Sequence, residues 1–400
     1  MFEQQMTLAD AMTAHQSGRL AEAAAGYQSV LRQRPTDPDA LHFYGLLVFQ
    51  RGESLDAVKL IMQSLSHAPG NPHAWNNLGN VLATQDKLAE AKEAYRRATL
   101  LAPTLSEGWY NLGVCVQDEG AFAEATAHFR TAIAHQPGLL RAYESLGRML
   151  YRLGEYEQAA QIYSAWLQRD PENPIARHMA AATSGTNVPA RADDRYIATT
   201  FDRHAAAFDD NLQRLGYRAP ELVAATLAGF DAPGASARVI LDAGCGTGLC
   251  GPLLRPCCAR LVGVDLSAGM IEQARRRGGY DELAVGELCA FMRARPAQFD
   301  AIVSADTLVY FGALEEVCSA ARFALRPNGV FVFTVEALLG TGNAPHQLQV
   351  HGRYAHRDSY LRAVLEASGF GILNLHRETL RMERHQEVIG HLVTAGATLP

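Results

Sequence analysis

The chain has 400 residues, of which 48% are hydrophobic and 20% are charged. At roughly 100–200 residues per domain, this length predicts two globular domains, and the composition excludes a disordered or fibrous protein. The 42 acidic residues against 36 basic ones give a formal net charge of -6. We therefore expect no dedicated nucleic-acid surface.

The sequence also predicts where the protein works. No run approaches the ~18 consecutive apolar residues that a spanning helix needs, and the opening segment MFEQQMTLAD lacks the basic-then-apolar order of a secretory signal. We therefore expect a cytoplasmic protein that makes no membrane contact. The seven cysteines form no CxxC pair, which favours free thiols in a reducing compartment over a redox or zinc site.

Proline recurs every 34 residues in the first half of the chain, from Pro35 to Pro171. Glycine keeps the same step, for example at Gly79 and Gly113. This period predicts helical hairpins that stack on one another, because a single hairpin cannot bury its apolar face alone. The five expected units are residues 4–37, 38–71, 72–105, 106–139 and 140–173.

The pattern within the units resembles a known repeat. The copy from Trp75 to Pro103 reads WxxLG, Ala, aromatic and Pro, and the copy from Trp109 to Pro137 reads the same way. Both the pattern and its length resemble the tetratricopeptide repeat. The resemblance implies an all-α superhelix that holds a peptide or protein segment on its concave face. We assign residues 1–185 to this domain, with a capping helix at its end.

Asn77 and Asn111 occupy equivalent positions in the copies WNNLGN and WYNLGV. They resemble the asparagine ladder of the tetratricopeptide superhelix of O-linked N-acetylglucosamine transferases, in which amides bind peptide backbone because they both donate and accept hydrogen bonds. Phe43 and Ser145 interrupt the ladder on either side. The alternative is that both asparagines are ordinary polar residues within the array.

From residue 238 short apolar and β-branched runs alternate with helical segments, which predicts a parallel sheet covered on both faces. The first run ends in LDAGCGTG, and the second ends at Asp265. Glycines at a strand-to-helix turn let a ligand approach the backbone, and an acidic residue at the next strand tip binds ribose hydroxyls. The third glycine is Gly248 and position 249 is Leu249, so the G-x-G-x-x-G dinucleotide fingerprint is not met.

The order D-x-G-x-G-x-G, with Asp242, Gly244, Gly246 and Gly248, resembles motif I of the class I S-adenosylmethionine-dependent methyltransferases. The segments GVDLS, FDAIVSADTLVYF and LRPNGVFVFTVE follow in the order and at the spacing of that family. The resemblance covers residues 196–400. It implies an α/β doubly wound, Rossmann-like domain with a mostly parallel seven-stranded sheet in the order 3-2-1-4-5-7-6. It also implies S-adenosylmethionine as the cofactor and S-adenosylhomocysteine as its product.

The same resemblance assigns the cofactor-binding residues by position. The loop from Asp242 to Gly248, including Cys245, would hold the methionine part, and Asp265 with its neighbour Leu266 would hold the ribose. Glu287 and Leu288 would flank the adenine. Asp306 would lie at the tip of the fourth strand beside the sulfonium, although an aspartate there can instead cap the next helix.

The segment YIATTFDRHAAAFDDNLQRLGYRAP lies ahead of motif I. It resembles the helical lid of small-molecule methyltransferases of the biotin and ubiquinone pathway type, and we place the lid at 196–230. Bacterial predicted methyltransferases with tetratricopeptide repeats carry similar FD…FD…LGYRAP and GRYAH segments. They are therefore the more specific resemblance.

Candidate catalytic residues follow from the chemistry of methyl transfer, which aligns a nucleophile, excludes water and, for an alcohol, amine or thiol, removes a proton. His351 and His356 are candidate general bases. Arg353 is a candidate contact for an anionic acceptor, and Tyr310 is a candidate wall of the methyl path. The alternative is a surface loop with solvated histidines. A metal is not expected, because His346, His351 and His356 do not follow the spacing of known ligand pairs.

Three functions are compatible with the sequence. The leading hypothesis is a methyltransferase whose repeats recruit a peptide, protein or protein-carried intermediate. A small-molecule methyltransferase whose repeats serve for homodimerisation is the second, and a cofactor-binding scaffold without turnover is the third.

Overall fold

The computed structural model describes residues 6–230, 237–384 and 386–397. The chain divides into two units, Met1–Arg169 and Asp170–Pro400. Among the described residues, the first unit is helical and the second combines helices with one sheet. No helix in these ranges combines the length and the apolar composition needed to cross a bilayer.

The first unit consists of five helical hairpins that coincide with the five predicted repeats, so the predicted repeat architecture is confirmed. In several hairpins the first helix begins with a proline or a capping side chain, and Asp37 and Asn71 are examples of such caps. The helices are α1 Leu8–Gln16, α2 Leu20–Gln33, α3 Pro38–Gln50, α4 Ser54–His67, α5 Pro72–Ala83, α6 Leu88–Leu101, α7 Ser106–Asp118, α8 Phe122–His135, α9 Leu140–Leu153 and α10 Tyr156–Arg169.

Two contacts explain why proline, tryptophan and glycine share one period. Trp109 Nε1 donates to the carbonyl oxygen of Pro103 at 2.7 Å, which ties the start of one unit to the end of the unit before it. A Cβ placed at Gly113 would lie 2.7 Å from the ring of Phe129 on the facing helix. The aromatic ring therefore occupies the space that a side chain at Gly113 would need, and Gly79 faces Tyr95 in the same way.

The helix predicted to cap the repeats is α11 (Pro174–Ser184), and it lies in the second unit. His178 stacks on Tyr196, with ring centroids 4.0 Å apart, and its Nε2 donates to the carbonyl oxygen of Gly352 at 2.8 Å. The alanines of α11 pack against second-unit side chains, which is why this helix groups with the second unit.

The second unit continues with helices and strands in alternation, as the sequence predicts. The helices are α12 Asp194–His204, α13 Phe208–Arg214, α14 Ala219–Ala228, α15 Gly251–Leu254, α16 Ala268–Arg277, α17 Leu288–Arg293, α18 Glu315–Ala324 and α19 Asp358–Ala367. The strands are β1 Val239–Ala243, β2 Arg260–Asp265, β3 Glu282–Val285, β4 Phe299–Ser304, β5 Leu325–Ala337, β6 His346–Leu348, β7 Tyr354–His356, β8 Gly371–Glu383 and β9 Gln386–Gly396.

The sheet confirms the predicted strand order, with β9 and β8 as the predicted strands 7 and 6, but within the described residues it has nine strands instead of seven because β7 and β6 also join it at β5. Strands β3, β2, β1, β4 and β5 are parallel neighbours, β9 pairs antiparallel with β5, and β8 pairs antiparallel with β9. Successive residues of β1 face opposite sides, since Ile240 and Leu241 belong to different hydrophobic cores. Helices cover both faces, which leaves the carboxyl ends of the parallel strands as the place where a ligand binds.

The short hairpin of β6 and β7 argues against one alternative. The alternative interpretation of this segment is a surface loop, yet β7 pairs with the end of β5, placing Ala355 opposite Glu336 and His356 opposite Ala337. Strands of three residues are too short for an alternating pattern to show in the sequence.

Candidate functional site

A cavity that opens to solvent lies at the carboxyl ends of β1, β2 and β4. It brings together six of the residues predicted from the sequence: Gly244, Asp265, Leu266, Glu287, Leu288 and Tyr310. The other residues that line it are Arg191, Ala192, Ile197, Val264, Gly286, Thr307 and Phe311.

The glycine loop after β1 reaches the cavity through Gly244, whereas Gly246 and Gly248 do not line it. Gly244, Gly246 and Gly248 have φ values of +81°, +53° and +84°, a region that glycine adopts far more readily than other residues. A Cβ at Gly244 would lie 2.2 Å from Oγ1 of Thr307, which donates to the carbonyl oxygen of Gly244 at 3.1 Å. The sequence therefore needs glycine here both for the turn and for the close approach of β4.

Asp265 forms the opposite side, at the end of β2. Its Oδ2 accepts the N–H of Gly246 at 2.9 Å, and its Oδ1 accepts the N–H of Ser267 at the same distance. Burial raises the pKa of this carboxyl group, and the two backbone donors oppose that shift. Each carboxylate oxygen has a second lone pair, so the group can still accept hydrogen bonds from a ligand.

Asp242 and Cys245 lie beneath the loop and do not line the cavity. Asp242 is fully buried, and its Oδ2 accepts the hydroxyl of Tyr280 at 2.6 Å. Its Oδ1 accepts no hydrogen bond from the part of the chain that is described. Burial raises the pKa of this carboxyl group to about 7. The N–H of Cys245 donates to the carbonyl oxygen of Val264 at 3.0 Å, so this residue supports the loop from below.

Glu287 and Leu288 stand where β3 leads into α17. The carboxylate of Glu287 caps that helix by accepting the N–H groups of Cys289 and Ala290 at 3.0 and 2.7 Å. Leu288 supplies an apolar wall next to it. Arg191 Nη1 lies 3.8 Å from Glu287 and 2.7 Å from Asp194, so its charge is already paired.

The segment before the predicted lid belongs to this site. The N–H of Ala192 donates to the carbonyl oxygen of Tyr310 at 2.8 Å, and the N–H of Gly312 donates to the carbonyl oxygen of Ala190 at 2.8 Å. Phe201 of α12 meets the ring of Tyr310 edge-on, with centroids 5.6 Å apart. The cavity thus involves residues ahead of position 196, where the methyltransferase-like domain was expected to begin.

Next to the cavity is a buried ion network around Arg381, which is 2% exposed. Its Nη1 donates to Asp306 Oδ2 at 2.6 Å, its Nε donates to Glu383 Oε1 at 2.7 Å, and its Nη2 donates to Glu336. Arg353 Nε donates to Glu336 Oε1 at 2.7 Å, and its Nη2 pairs with Glu383. Three carboxylates therefore surround two guanidinium groups.

The two predicted histidine bases take separate positions. His351 Nε2 lies 3.2 Å from Glu336 Oε2, and its Nδ1 faces the N–H of Arg353 at 3.3 Å, so both ring nitrogens have partners. His356 is fully buried in β7, its Nε2 donates to the carbonyl oxygen of Gly312 at 3.1 Å, and burial lowers its pKa to about 4. Neither lines the cavity. Within the described ranges, no three His, Cys, Asp or Glu side chains are grouped as a metal ion would require.

The two repeat asparagines make contacts within the array. Asn77 Nδ2 donates to Nε2 of His42 at 3.0 Å, and burial lowers the pKa of that histidine to about 4, so it is neutral. Asn111 Nδ2 donates to Oδ1 of Asn76 and of Asn80, both at 3.0 Å. The side-chain carbonyl oxygens of Asn77 and Asn111 accept no bond that the described residues supply.

Comparisons with known proteins agree with this arrangement. A family model described as a methyltransferase domain matches residues 241–333, and tetratricopeptide repeat models match residues 8–64, 72–105 and 110–174. The chain joins tetratricopeptide repeats to a methyltransferase domain.

Two curated relatives and one solved structure illustrate what this chain is similar to. Methyltransferase-like protein 27 of Homo sapiens is 44% identical over 87 residues, which are 21% of this chain and 35% of that protein. A malonyl-[acyl-carrier protein] O-methyltransferase of Yersinia pestis is 30% identical over 152 residues, 37% of this chain and 53% of that protein. The crystal structure of MamA covers 40% of this chain and 95% of its own, with 22% identity and a TM-score of 0.38. The chain thus spans about a third and about half of the lengths of the two curated relatives.

Sequence reasoning missed part of the candidate site. Thr307 directly follows Asp306, and its hydroxyl contacts Gly244. A polar residue just after a strand tip is the sequence signal that could have identified it. Arg191 and Arg381 gave no comparable signal, because one lies in a connecting segment and the other in a strand far along the chain.

Proposed function

We propose that the methyltransferase domain uses S-adenosylmethionine to methylate an acceptor that the repeats recruit, namely a peptide, a protein or a protein-carried intermediate. The observation that carries this proposal is the cavity between the glycine loop and Asp265 at the carboxyl ends of the parallel strands.

The residues around the cavity fit this cofactor. The Asp265 carboxylate can accept bonds from a ribose diol, while Val264, Leu266 and Leu288 offer apolar surface to a flat ring. A Cβ at Gly286 would meet only Val264 Cγ2, at 4.0 Å, so the backbone leaves space there. When bound, S-adenosylmethionine supplies a methyl group made electrophilic by its sulfonium.

Tyr310 orients the acceptor in this proposal. It lines the cavity, and burial raises its pKa to about 12, so the phenol stays protonated at neutral pH. A protonated phenol donates a hydrogen bond and does not remove a proton. Tyr310 and Phe201 together shield the cavity from water.

Asp306 is our candidate for the proton acceptor when the acceptor is an alcohol, amine or thiol. Its Oδ2 is held by Arg381, whereas its Oδ1 accepts no bond from the described residues. Burial raises the pKa of the carboxyl group, which makes it a better base near neutral pH. Asp306 does not itself line the cavity, but it directly precedes Thr307, which does.

We give His351, His356 and Arg353 positioning roles. Both ring nitrogens of His351 have partners, and His356 is fully buried and does not line the cavity. Arg353 is held by Glu336 and Glu383, so it would have to leave a carboxylate before binding an anionic acceptor.

Two observations support recruitment by the repeats. The unbonded carbonyl oxygens of Asn77 and Asn111 are available to peptide N–H groups. The Yersinia relative is named for a substrate on an acyl-carrier protein, which is a protein-carried intermediate.

Transfer of radiolabelled methyl groups tests the proposal. The full chain is mixed with labelled S-adenosylmethionine and an extract of a host strain that lacks the gene, and macromolecules are then separated from small molecules. We expect label in one protein band, and none with the Asp265→Ala variant. Label only among small molecules would instead support repeats used for homodimerisation. Cofactor binding without any label would support a scaffold without turnover.

A further inference from the structure

We propose that Asp202 and Asp209, the acidic residues of the FD…FD segment, are positioning residues that clamp the cofactor-binding loops to the lid helices. The inference rests on the proposed function, because it names the residues that control how long the cofactor stays bound. It depends on hydrogen bonds between elements that are more than 35 residues apart in the chain.

Asp209, in α13, holds the glycine loop. Its Oδ1 accepts the hydroxyl of Thr247 at 2.5 Å, and its other oxygen pairs with Arg277. Arg277 Nε also donates to the carbonyl oxygen of Thr247 at 2.9 Å. The side chains of Asp209 and Arg277 thus bind Thr247 from two directions, and Thr247 lies between Gly246 and Gly248 of motif I.

Asp202, in α12, holds the segment that follows Asp265. Its Oδ1 accepts both the hydroxyl of Ser267 at 2.5 Å and the N–H of Gly269 at 2.9 Å. The Ser267 oxygen in turn accepts the N–H of Met270 at 3.0 Å and so caps α16. A Cβ at Gly269 would lie 3.2 Å from the same Asp202 oxygen, which explains the small residue at this position.

The two aspartates therefore hold both ends of α16, Asp202 at its first turn and Asp209 through Arg277 at its last. The hydrogen bond between the N–H of Gly246 and Asp265 joins the two clamped segments on the far side. The glycine loop, the end of β2 and the lid thus form one connected unit. Ile197 of α12 lines the cavity, so the clamp also fixes a wall of the site.

This connection predicts reciprocal coupling. A ligand that orders the glycine loop and Asp265 favours the docked lid, and a docked lid slows the release of that ligand by the same free energy. Neither aspartate lines the cavity, so loss of the clamp should act on how long the cofactor stays bound.

The test uses the full chain and four variants: Asp202→Ala, Asp209→Ala, Asp209→Asn and, as a matched control, Asp210→Ala. Asp210 is the neighbour of Asp209 in the same helix, and its side chain is exposed. Stopped-flow displacement measures the dissociation rate of S-adenosylhomocysteine. We expect each alanine variant at 202 or 209 to release it about tenfold faster, equivalent to about 1.4 kcal/mol, and to raise the cofactor KM more than it lowers kcat.

Asp209→Asn separates the two contacts of Asp209. Asparagine keeps an oxygen for Thr247 but loses the ion pair with Arg277, so we expect an intermediate dissociation rate. Dissociation rates equal to those of the Asp210→Ala control in all three clamp variants would overturn the inference. Faster release that merely follows a fall in the thermal midpoint would overturn it as well.

Hydrogen exchange tests the clamp independently of the proposed function. If the wild-type chain binds no cofactor, the proposed function fails, while the clamp still predicts faster amide exchange at residues 244–248 and 266–270 in the alanine variants. Unchanged exchange there would refute the clamp irrespective of the ligand.

Discussion

Arg381 Nη1 and Asp306 Oδ2 lie 2.6 Å apart, which joins the final antiparallel strand pair to the tip of β4. Asp306 adopts a left-handed φ of +56°, a conformation that costs energy for a residue with a side chain. Its N–H donates to Thr334 Oγ1 at 2.8 Å, so backbone and side chain are both held. The arginine thus fixes an aspartate that we assign to proton removal.

Replacement of Arg381 should be strongly destabilising. Arg381→Leu leaves the carboxylates of Asp306, Glu336 and Glu383 with one guanidinium group between them, and removing one partner of a buried ion pair costs about 3–5 kcal/mol. We expect a lower thermal midpoint for the second unit, measured by calorimetry, and loss of methyl transfer, measured by the label assay.

Arg377→Leu is the matched control, since Arg377 lies on the same strand and is exposed. We expect it to behave as the wild type. If Arg381→Leu matched this control in midpoint and in transfer, the ion network would not support the site.

The close contact between Gly113 and Phe129 predicts a stability change in the repeats. Gly113→Ala places a methyl group 2.7 Å from the ring, and such overpacking costs about 1–3 kcal/mol. We expect a lower urea midpoint for the helical signal. Gly138→Ala is the control, because a Cβ there meets no atom within 4 Å. Equal midpoints for the two variants would contradict the packing that we describe.

Asp242 gives a pH dependence whose sign follows from its burial. Its pKa of about 7 in the folded chain exceeds the unfolded value of about 3.9, so the folded chain binds more protons between these pH values. Stability therefore falls as the pH rises from about 4 to 7, by at most about 1.4 kcal/mol per pH unit for one group. Asp242→Asn removes this contribution.

Thermal midpoints of Asp242→Asn and wild type, compared between pH 4 and 8, test this prediction. The midpoint of the variant minus that of the wild type should grow more positive up to about pH 7 and then level off. Asp210→Asn supplies the baseline. A difference that stays constant with pH would show that Asp242 does not titrate in this range.

Local patterns predicted the fold and one side of the site. The 34-residue period follows from contacts such as that between Gly113 and Phe129, which recur at Gly79 with Tyr95 and at Gly147 with Tyr163. The glycine loop and Asp265 likewise stand at strand ends that apolar runs mark clearly. Such features depend on neighbours in the sequence, so the sequence displays them.

The acceptor side could not be predicted in this way. The register of β8 and β9 shifts between Thr379 and Arg381, so that Leu380 and Arg381 are both buried and alternation gives no sign of the inward-facing arginine. Its partners Glu336 and Asp306 lie 45 and 75 residues away in the chain. Only the folded sheet brings these charges together.

Calorimetric titration of the full chain with S-adenosylmethionine tests the central claim most directly. We predict one binding site in the wild type and at least a hundredfold weaker binding in Asp265→Ala, equivalent to about 2.7 kcal/mol, because that variant loses the carboxylate at the end of β2. Asp210→Ala should bind as the wild type does. No binding by the wild type, or equal affinity in Asp265→Ala, would contradict the assignment of this cavity to the cofactor.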